Sequence, residues 1–420
     1  MLGFRRVTRH DPIGPTQRRA FFVSGATLFA AGLFQSTLGP ALPDLARNTS
    51  ADLAALGAIF TALFVGSLVS QLAAGAIGDR LGHRPVLIAG LLLAALGMLG
   101  VANGPTLALV LAPALVAGLG NGALILGANL VIADAFTEGR AVALNLVNVF
   151  FGVGAIAGPA IVGGMLNAWS TAIPMLWIAS GVLVVPAVAA LGLRLPPATQ
   201  QGKSGESGGR AVLASPLLWL FGLLVLVYLG NEVGMGGWLA TYLGRSAGTP
   251  LDVGAVATSG YWLALTAGRV LGAFIGARMD AARLLLVSLC GALVGGSILV
   301  LGTGSAPVTV VAALVLGLSF GPVYPTTIAL VTATFHANPG VAAGVVMALG
   351  SVGGAALPWL LGVLILDVRP VAGAALIAGS ALAMLILLSL AQLVAARRMG
   401  AGRGGTGLST GSLGDPAQGG

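Results

Sequence analysis

The chain has 420 residues, of which 57% are apolar and only 8% are Asp, Glu, Lys or Arg, against roughly 25% charged in an ordinary soluble domain. That excludes a water-soluble globule, because too few charges are present to cover its surface, and makes lipid the solvent for most of the chain. The net charge of +8 comes from Arg residues flanking apolar segments, which marks topology and excludes nucleic acid as a partner.

In chain order, a basic tail (residues 1–19) precedes six apolar runs of the length that crosses a bilayer, about 20 residues: 20–42, 53–77, 85–103, 106–134, 141–166 and 171–193. A polar stretch, 194–215, containing Pro196–Arg210 (PPATQQGKSGESGGR), suits a flexible linker. Six more runs follow: 216–243, 253–279, 284–303, 307–333, 340–366 and 370–396. The Gly-rich tail 397–420 reads as disordered. The expected fold is an all-α integral membrane protein of twelve transmembrane helices, arranged as an N-terminal bundle (20–193) and a C-terminal bundle (216–396). With twelve spans both termini share a side, and that side carries 16 of the Arg and Lys residues against 3 on the other. The positive-inside rule places both termini in the cytoplasm of a multi-pass protein in the cell inner (plasma) membrane. Most of the 66 glycines lie in apolar runs and read as close helix packing. Cys290, the single cysteine, forms no intrachain disulfide and reads as a small core residue.

The halves repeat. Gly118-Leu119, Gly122 and Phe136 match Gly317-Leu318, Gly321 and Phe335 at an offset of 199 residues, which also pairs Gly154, Pro159 and Gly163 with Gly353, Pro358 and Gly362. Transporters built from such repeats place substrate between them near the midplane, and one chain forms the whole pathway, so a monomer is expected.

After the second run, Gly75-Ala-Ile-Gly-Asp79-Arg80-Leu-Gly82-His83-Arg84-Pro85 resembles the G-x-x-x-D-(R/K)-x-G-(R/K)-(R/K) signature of the major facilitator superfamily, with His83 in a basic position. Gly154-x-x-x-Gly158-Pro159 resembles that superfamily's antiporter motif. Gly39-Pro40-x-Leu-Pro43, Gly321-Pro322-x-Tyr-Pro325 and the segment Tyr228–Tyr242, with Tyr261-Trp262 and Gly268-Arg269, resemble its sugar-permease branch of fucose and glucose/galactose transporters. The fucose type has an acid in the fourth helix, where this chain has Asn121, Ile125 and Asn129. The resemblance implies that Asp79 and Arg80 hold an inner gate, with Asp79 meeting the N-terminal end of the eleventh helix; Asp134 is a candidate partner for Arg80 or Arg84 in that gate, and Glu138 reads as an exposed loop charge.

Glu232 is the one acid deep within a span, and a charge there costs at least ~2.5 kcal/mol on insertion scales. It is expected to couple a proton to transport together with Arg269, the one base within a span. The alternative for both is a structural ion pair, and Arg269 is equally suited to hold substrate hydroxyls or carboxylates. The glycines around Glu232 (Gly234, Gly236, Gly237) weaken helix and offer backbone groups to a cavity. Gln35, Asn121, Asn129, Asn145, Asn148 and Asn231 are candidate ligands for hydroxyls, with helix-to-helix hydrogen bonding as the alternative. Trp238, Trp262, Tyr324 and Trp359 are candidates to stack on a sugar ring, whereas Trp169 and Trp219 suit the interfacial belt. Asp44 and Asp52 are expected to be solvated outside the first two spans. No metal ligand set or cofactor motif is present, and no nucleotide-binding loop or protease motif, so neither an enzyme nor an ATP-driven pump is expected. The expected function is secondary active transport of a small polar solute, a sugar, by alternating access in symport with a proton or, alternatively, Na+. The competing expectation is a proton-coupled drug or metabolite efflux antiporter.

Overall fold

The computed structural model describes residues 14–136, 140–193 and 206–404. Twelve long helices cross the molecule: α1 Pro15–Thr49, α2 Ala58–Leu81, α3 His83–Asn103, α4 Leu107–Ala135, α5 Arg140–Trp169, α6 Ile173–Ala190, α7 Pro216–Ala247, α8 Leu251–Gly276, α9 Ala281–Leu301, α10 Ala306–Thr334, α11 Pro339–Val363 and α12 Pro370–Gly404. Short helices Leu53–Leu56 and Glu206–Leu213 lie beside α2 and α7, so part of the linker is helical. The linker residues 194–205 and the tails 1–13 and 405–420 lie outside the described residues. Eleven helices are long and apolar enough to span a membrane by composition alone. The exception is α8, which carries Asp252 and Arg269 besides Thr258, Ser259 and Thr266.

Starts and stops follow local chemistry. Proline opens α1, α7, α11 and α12, where its missing N–H costs nothing. Asp280 caps α9 by accepting from Ala282 N and Arg283 N at 3.1 and 3.3 Å. Thr106 caps α4 and Asp52 caps the Leu53–Leu56 turn. α10 is broken into Ala306–Phe320 and Val323–Thr334, because Pro322 has no N–H to continue the ladder.

The two halves pack alike. In the first, α1 packs on α5, α2 on α4, and α3 on α4 and α6; in the second, α7 packs on α11, α8 on α10, and α9 on α10 and α12. Glycines set these crossings at equivalent places. Gly154 approaches the Phe29 carbonyl of α1, and Gly353 the Leu226 carbonyl of α7, so closely that no Cβ fits. Gly118 lies likewise against Leu63 of α2, and Gly317 against Tyr261 of α8. With no hydrophobic drive between helices in lipid, backbone proximity of this kind supplies the dispersion contacts that hold them together. Outward faces carry large apolar residues such as Leu72, Val185, Phe274 and Leu301. Cys290 is on that outward surface and exposed, not in the core as its apolar neighbourhood suggested.

The halves meet at one end. Phe60 of α2 packs on Trp238 of α7 with ring centroids 6.4 Å apart, and Thr61 donates to the Ala355 carbonyl of α11 at 2.6 Å. Ser259 of α8 donates to the Ile156 carbonyl of α5 at 2.8 Å, and Gly39 of α1 lies backbone to backbone on Gly237 of α7. Among the described residues, these ring contacts and hydrogen bonds all fall in the half of the molecule where α1 and α7 end. None falls where they begin, although α5 and α8 remain in contact past their midpoints, at Gly152 and Thr266; the closure made by these contacts is away from the termini.

Asp44 differs from expectation. α1 remains helical through Thr49, which carries Asp44 to the start of α6. It is 1% exposed, accepts from the Ala172 N–H and pairs with Arg47. The unpaired N–H groups at a helix start attract a carboxylate, so Asp44 is a tie between α1 and α6. Asp52 is exposed, as expected.

Candidate functional site

The interior of the second half holds one charged cluster. Despite its glycines, α7 is helical from Pro216 to Ala247. They serve as contact points: Gly236 receives the ring of Trp262, and Gly237 that of Phe60. The intact turn places Glu232 toward α8, where Arg269 Nη2 donates to Glu232 Oε1 at 2.7 Å. The Glu232 side chain is 6% exposed and that of Arg269 31%, so the guanidinium is the member that reaches open space. α8 is held at this height by the α10 break, since Gly321 admits the backbone of Arg269 and no Cβ. Removing one partner of a buried pair leaves an uncompensated charge at a cost of about 3–5 kcal/mol.

Aromatic groups enclose the pair. Tyr261 donates to the Glu232 carbonyl at 3.2 Å. Tyr228, one turn before Glu232, is fully buried and stacks on Tyr324 with centroids 6.3 Å apart and planes at 24°. Phe320 meets Tyr228 edge-on at 5.7 Å. The Trp262 indole N–H is buried with no hydrogen-bond partner, and the Tyr228 hydroxyl lies beside the Glu232 and Arg269 side chains. Tyr228 and Tyr261 were not among the expected site residues; the i, i+4 spacing of Tyr228 and Glu232 was the available signal.

The first half contributes amides. Gln35 Nε2 donates to Asn121 Oδ1 at 3.1 Å, Asn121 Nδ2 to Ser67 Oγ at 3.1 Å, and Ser67 Oγ to the Gly118 carbonyl at 3.1 Å. This chain joins α1, α4 and α2, and buried Asn121 is consumed by it, while Gln35 keeps partial exposure. Asn148 donates to Asn129 Oδ1 at 3.3 Å and to the Leu144 carbonyl at 2.8 Å, and Asn145 is exposed one turn away. Asn231 is buried and donates to its own helix, at the Val227 carbonyl, at 2.6 Å.

Other expected residues lie elsewhere. Trp238 is 1% exposed, donates to the Pro358 carbonyl at 2.7 Å and fills the closed end against Gly57, Phe60 and Gly362. It is a plug between the halves and presents no free ring face. Trp359 is exposed along with Val352 and Ala356, on the face of α11 turned from Trp238. Asp134 is bound by His83, Nδ1 to Oδ2 at 2.6 Å, and not by Arg80 or Arg84. Buried His83 stacks so closely beneath Gly78 that its ring fills the space. Arg84 instead donates to the Leu191 carbonyl of the turn after α6, and Arg80 is exposed. Asp79 is within α2, with its side chain outside the described set, as is Glu138.

A repeated bundle of twelve helices, closed at one end over polar and charged interior groups, is a carrier's geometry. The family profile described as Major Facilitator Superfamily matches residues 25–358. The chain belongs to the Major Facilitator Superfamily. A mouse sodium-dependent glucose transporter 1A is 24% identical over 377 residues, which are 81% of this chain and 88% of that one. An Escherichia coli class C tetracycline resistance protein is 39% identical over 157 residues, 36% of this chain and 38% of that one. Among solved structures, a variant of the nucleoside transporter NupG superposes with a TM-score of 0.74 over 90% of this chain and 99% of that one, at 14% identity, a likeness of fold. As a member of this superfamily the chain is a multi-pass membrane transporter for a small-molecule substrate, not an enzyme.

Proposed function

We propose that the chain is a proton-coupled symporter of a small hydroxylated solute of the sugar class, working as a monomer in the cell inner membrane with both termini cytoplasmic. The observation that carries this reading is the Glu232–Arg269 pair, 2.7 Å apart with its guanidinium partly open. Glu232 takes a proton when its bond to Arg269 breaks, so occupancy of the space between the bundles is tied to protonation. Amides from Gln35, Asn145 and Asn148 face hydroxyls from the first half, and Trp262 and Tyr324 supply apolar ring surface from the second. The mouse relative, sodium-dependent and glucose-transporting by its name, supports the sugar class and keeps Na+ as the competing ion.

Transport then alternates. With the termini cytoplasmic, the contacts of Phe60, Trp238, Gly39 and Gly237 close the outer end, and the described form opens inward. Reorientation separates these contacts while the inner end closes around Asp79, Arg80 and the start of α11.

The second reading is proton-coupled efflux, favoured by the tetracycline-resistance relative and by Gly154-x-x-x-Gly158-Pro159. Uptake into proteoliposomes under an imposed pH gradient, screened over sugars and cationic dyes, decides between them. Sugar accumulation supports symport; dye extrusion without sugar uptake overturns it.

A further inference from the structure

The donors in the second half outnumber its acceptors. Arg269 gives one N–H to Glu232, and its side chain is partly exposed beyond that bond. The Trp262 N–H has no partner. The one carboxylate in this cluster is already engaged. A partly open guanidinium is completed by a ligand rich in acceptors.

Charge points the same way. The segments 20–43, 141–169, 284–301, 306–334, 339–363 and 370–396, which surround α7 and α8, contain no Asp, Glu, His, Lys or Arg. The titratable groups that face the pair are the phenols of Tyr228, Tyr261 and Tyr324. With Glu232 ionised, the pair sums to zero. With Glu232 protonated and a neutral solute bound, Arg269 would cross the reorientation as an uncompensated cation in the membrane interior, the costly situation for a buried charge.

We infer that the solute carries a carboxylate beside its hydroxyls, a sugar acid or similar hydroxy acid, and that this carboxylate replaces Glu232 on Arg269 as Glu232 accepts the proton. The inference rests on the proton-coupled reading above and names the substrate class of that same site. The step balances: a proton bonds to a Glu232 oxygen, the Arg269 Nη2 to Glu232 Oε1 hydrogen bond breaks, and the guanidinium donates to the two oxygens of the solute carboxylate in the planar fork that suits it. The site is neutral when empty and neutral when loaded. Release reverses the step, and Glu232 returns to Arg269 as its proton leaves. Gln35, Asn145 and Asn148 remain for the hydroxyls.

The test uses the purified full chain in proteoliposomes and two probes that differ at one carbon, D-glucuronate and D-glucose. Expected under an inward pH gradient are glucuronate uptake at least tenfold above glucose uptake, no transport current, and no dependence of rate on membrane potential. Glu232→Gln keeps glucuronate exchange and loses the pH drive. Arg269→Gln loses the preference for the acid; should that variant fail to fold, the unfolding temperature of the wild-type chain in detergent supplies the second readout, rising more with glucuronate than with glucose. Glucose uptake equal to or faster than glucuronate uptake, or a current carried by glucuronate, overturns the inference, and pH-driven glucose accumulation in that case leaves the proposed symport standing. Uptake of neither probe also overturns it, and dye extrusion in the same vesicles removes the sugar reading as well.

Discussion

The two six-helix halves share their crossings and differ in their interiors. Gly154 and Gly353 hold α5 on α1 and α11 on α7 in the same manner, yet the first half carries the hydrogen-bonded amides Gln35, Asn121, Asn129 and Asn148, and the second the ion pair of Glu232 and Arg269 among aromatic rings. Duplication therefore explains the scaffold and not the chemistry. Neutral amides in the first half satisfy one another at little electrostatic cost. Among the described residues the first half has ion pairs only near its helix ends, at Asp44–Arg47 and His83–Asp134, and under the proposed mechanism the interior pair makes the second half the one that responds to protonation.

The difference is sharpest at Arg269. Arg269→Ala strands buried Glu232, and we expect a loss of about 3–5 kcal/mol in detergent unfolding together with loss of uptake; an unchanged unfolding midpoint would remove the pair from the charged role given to it. The shared scaffold is tested next by Gly154→Leu and Gly353→Leu, which force a side chain into a backbone contact. Each should lose about 1–3 kcal/mol, and unequal losses would break the equivalence of the halves. In the first half, Asn121→Ala interrupts a neutral network worth about 1 kcal/mol, so solute affinity should weaken by roughly fivefold with the pH drive intact. Smallest is Trp359→Phe, on the outward face of α11, where uptake should stay within about twofold of the parent.

Much of this was legible in the residues. The twelve runs, the repeat and the pairing of Glu232 with Arg269 follow from hydropathy, a constant offset and the scarcity of charge. What was not legible is which face of each helix turns inward. In a soluble helix, polar residues mark the outside, but lipid tolerates apolar side chains on every face. Trp238 and Trp359 are therefore indistinguishable by type, though one plugs the closed end and the other faces out. Asp44 was misplaced because the apolar run ends before the helix does. His83 gave no sign that its partner would be Asp134, since that contact joins α3 to the far end of α4.

The glycine contacts have an evolutionary consequence. At Gly118, Gly154, Gly317 and Gly353 the fit is made by main chain, so the crossings demand nothing of the residues one step around each helix. Lining positions are thus free to be rewritten for a new cargo while the helices keep their places. A bundle of this shape is shared with a variant of a nucleoside transporter at 14% identity, a likeness of fold.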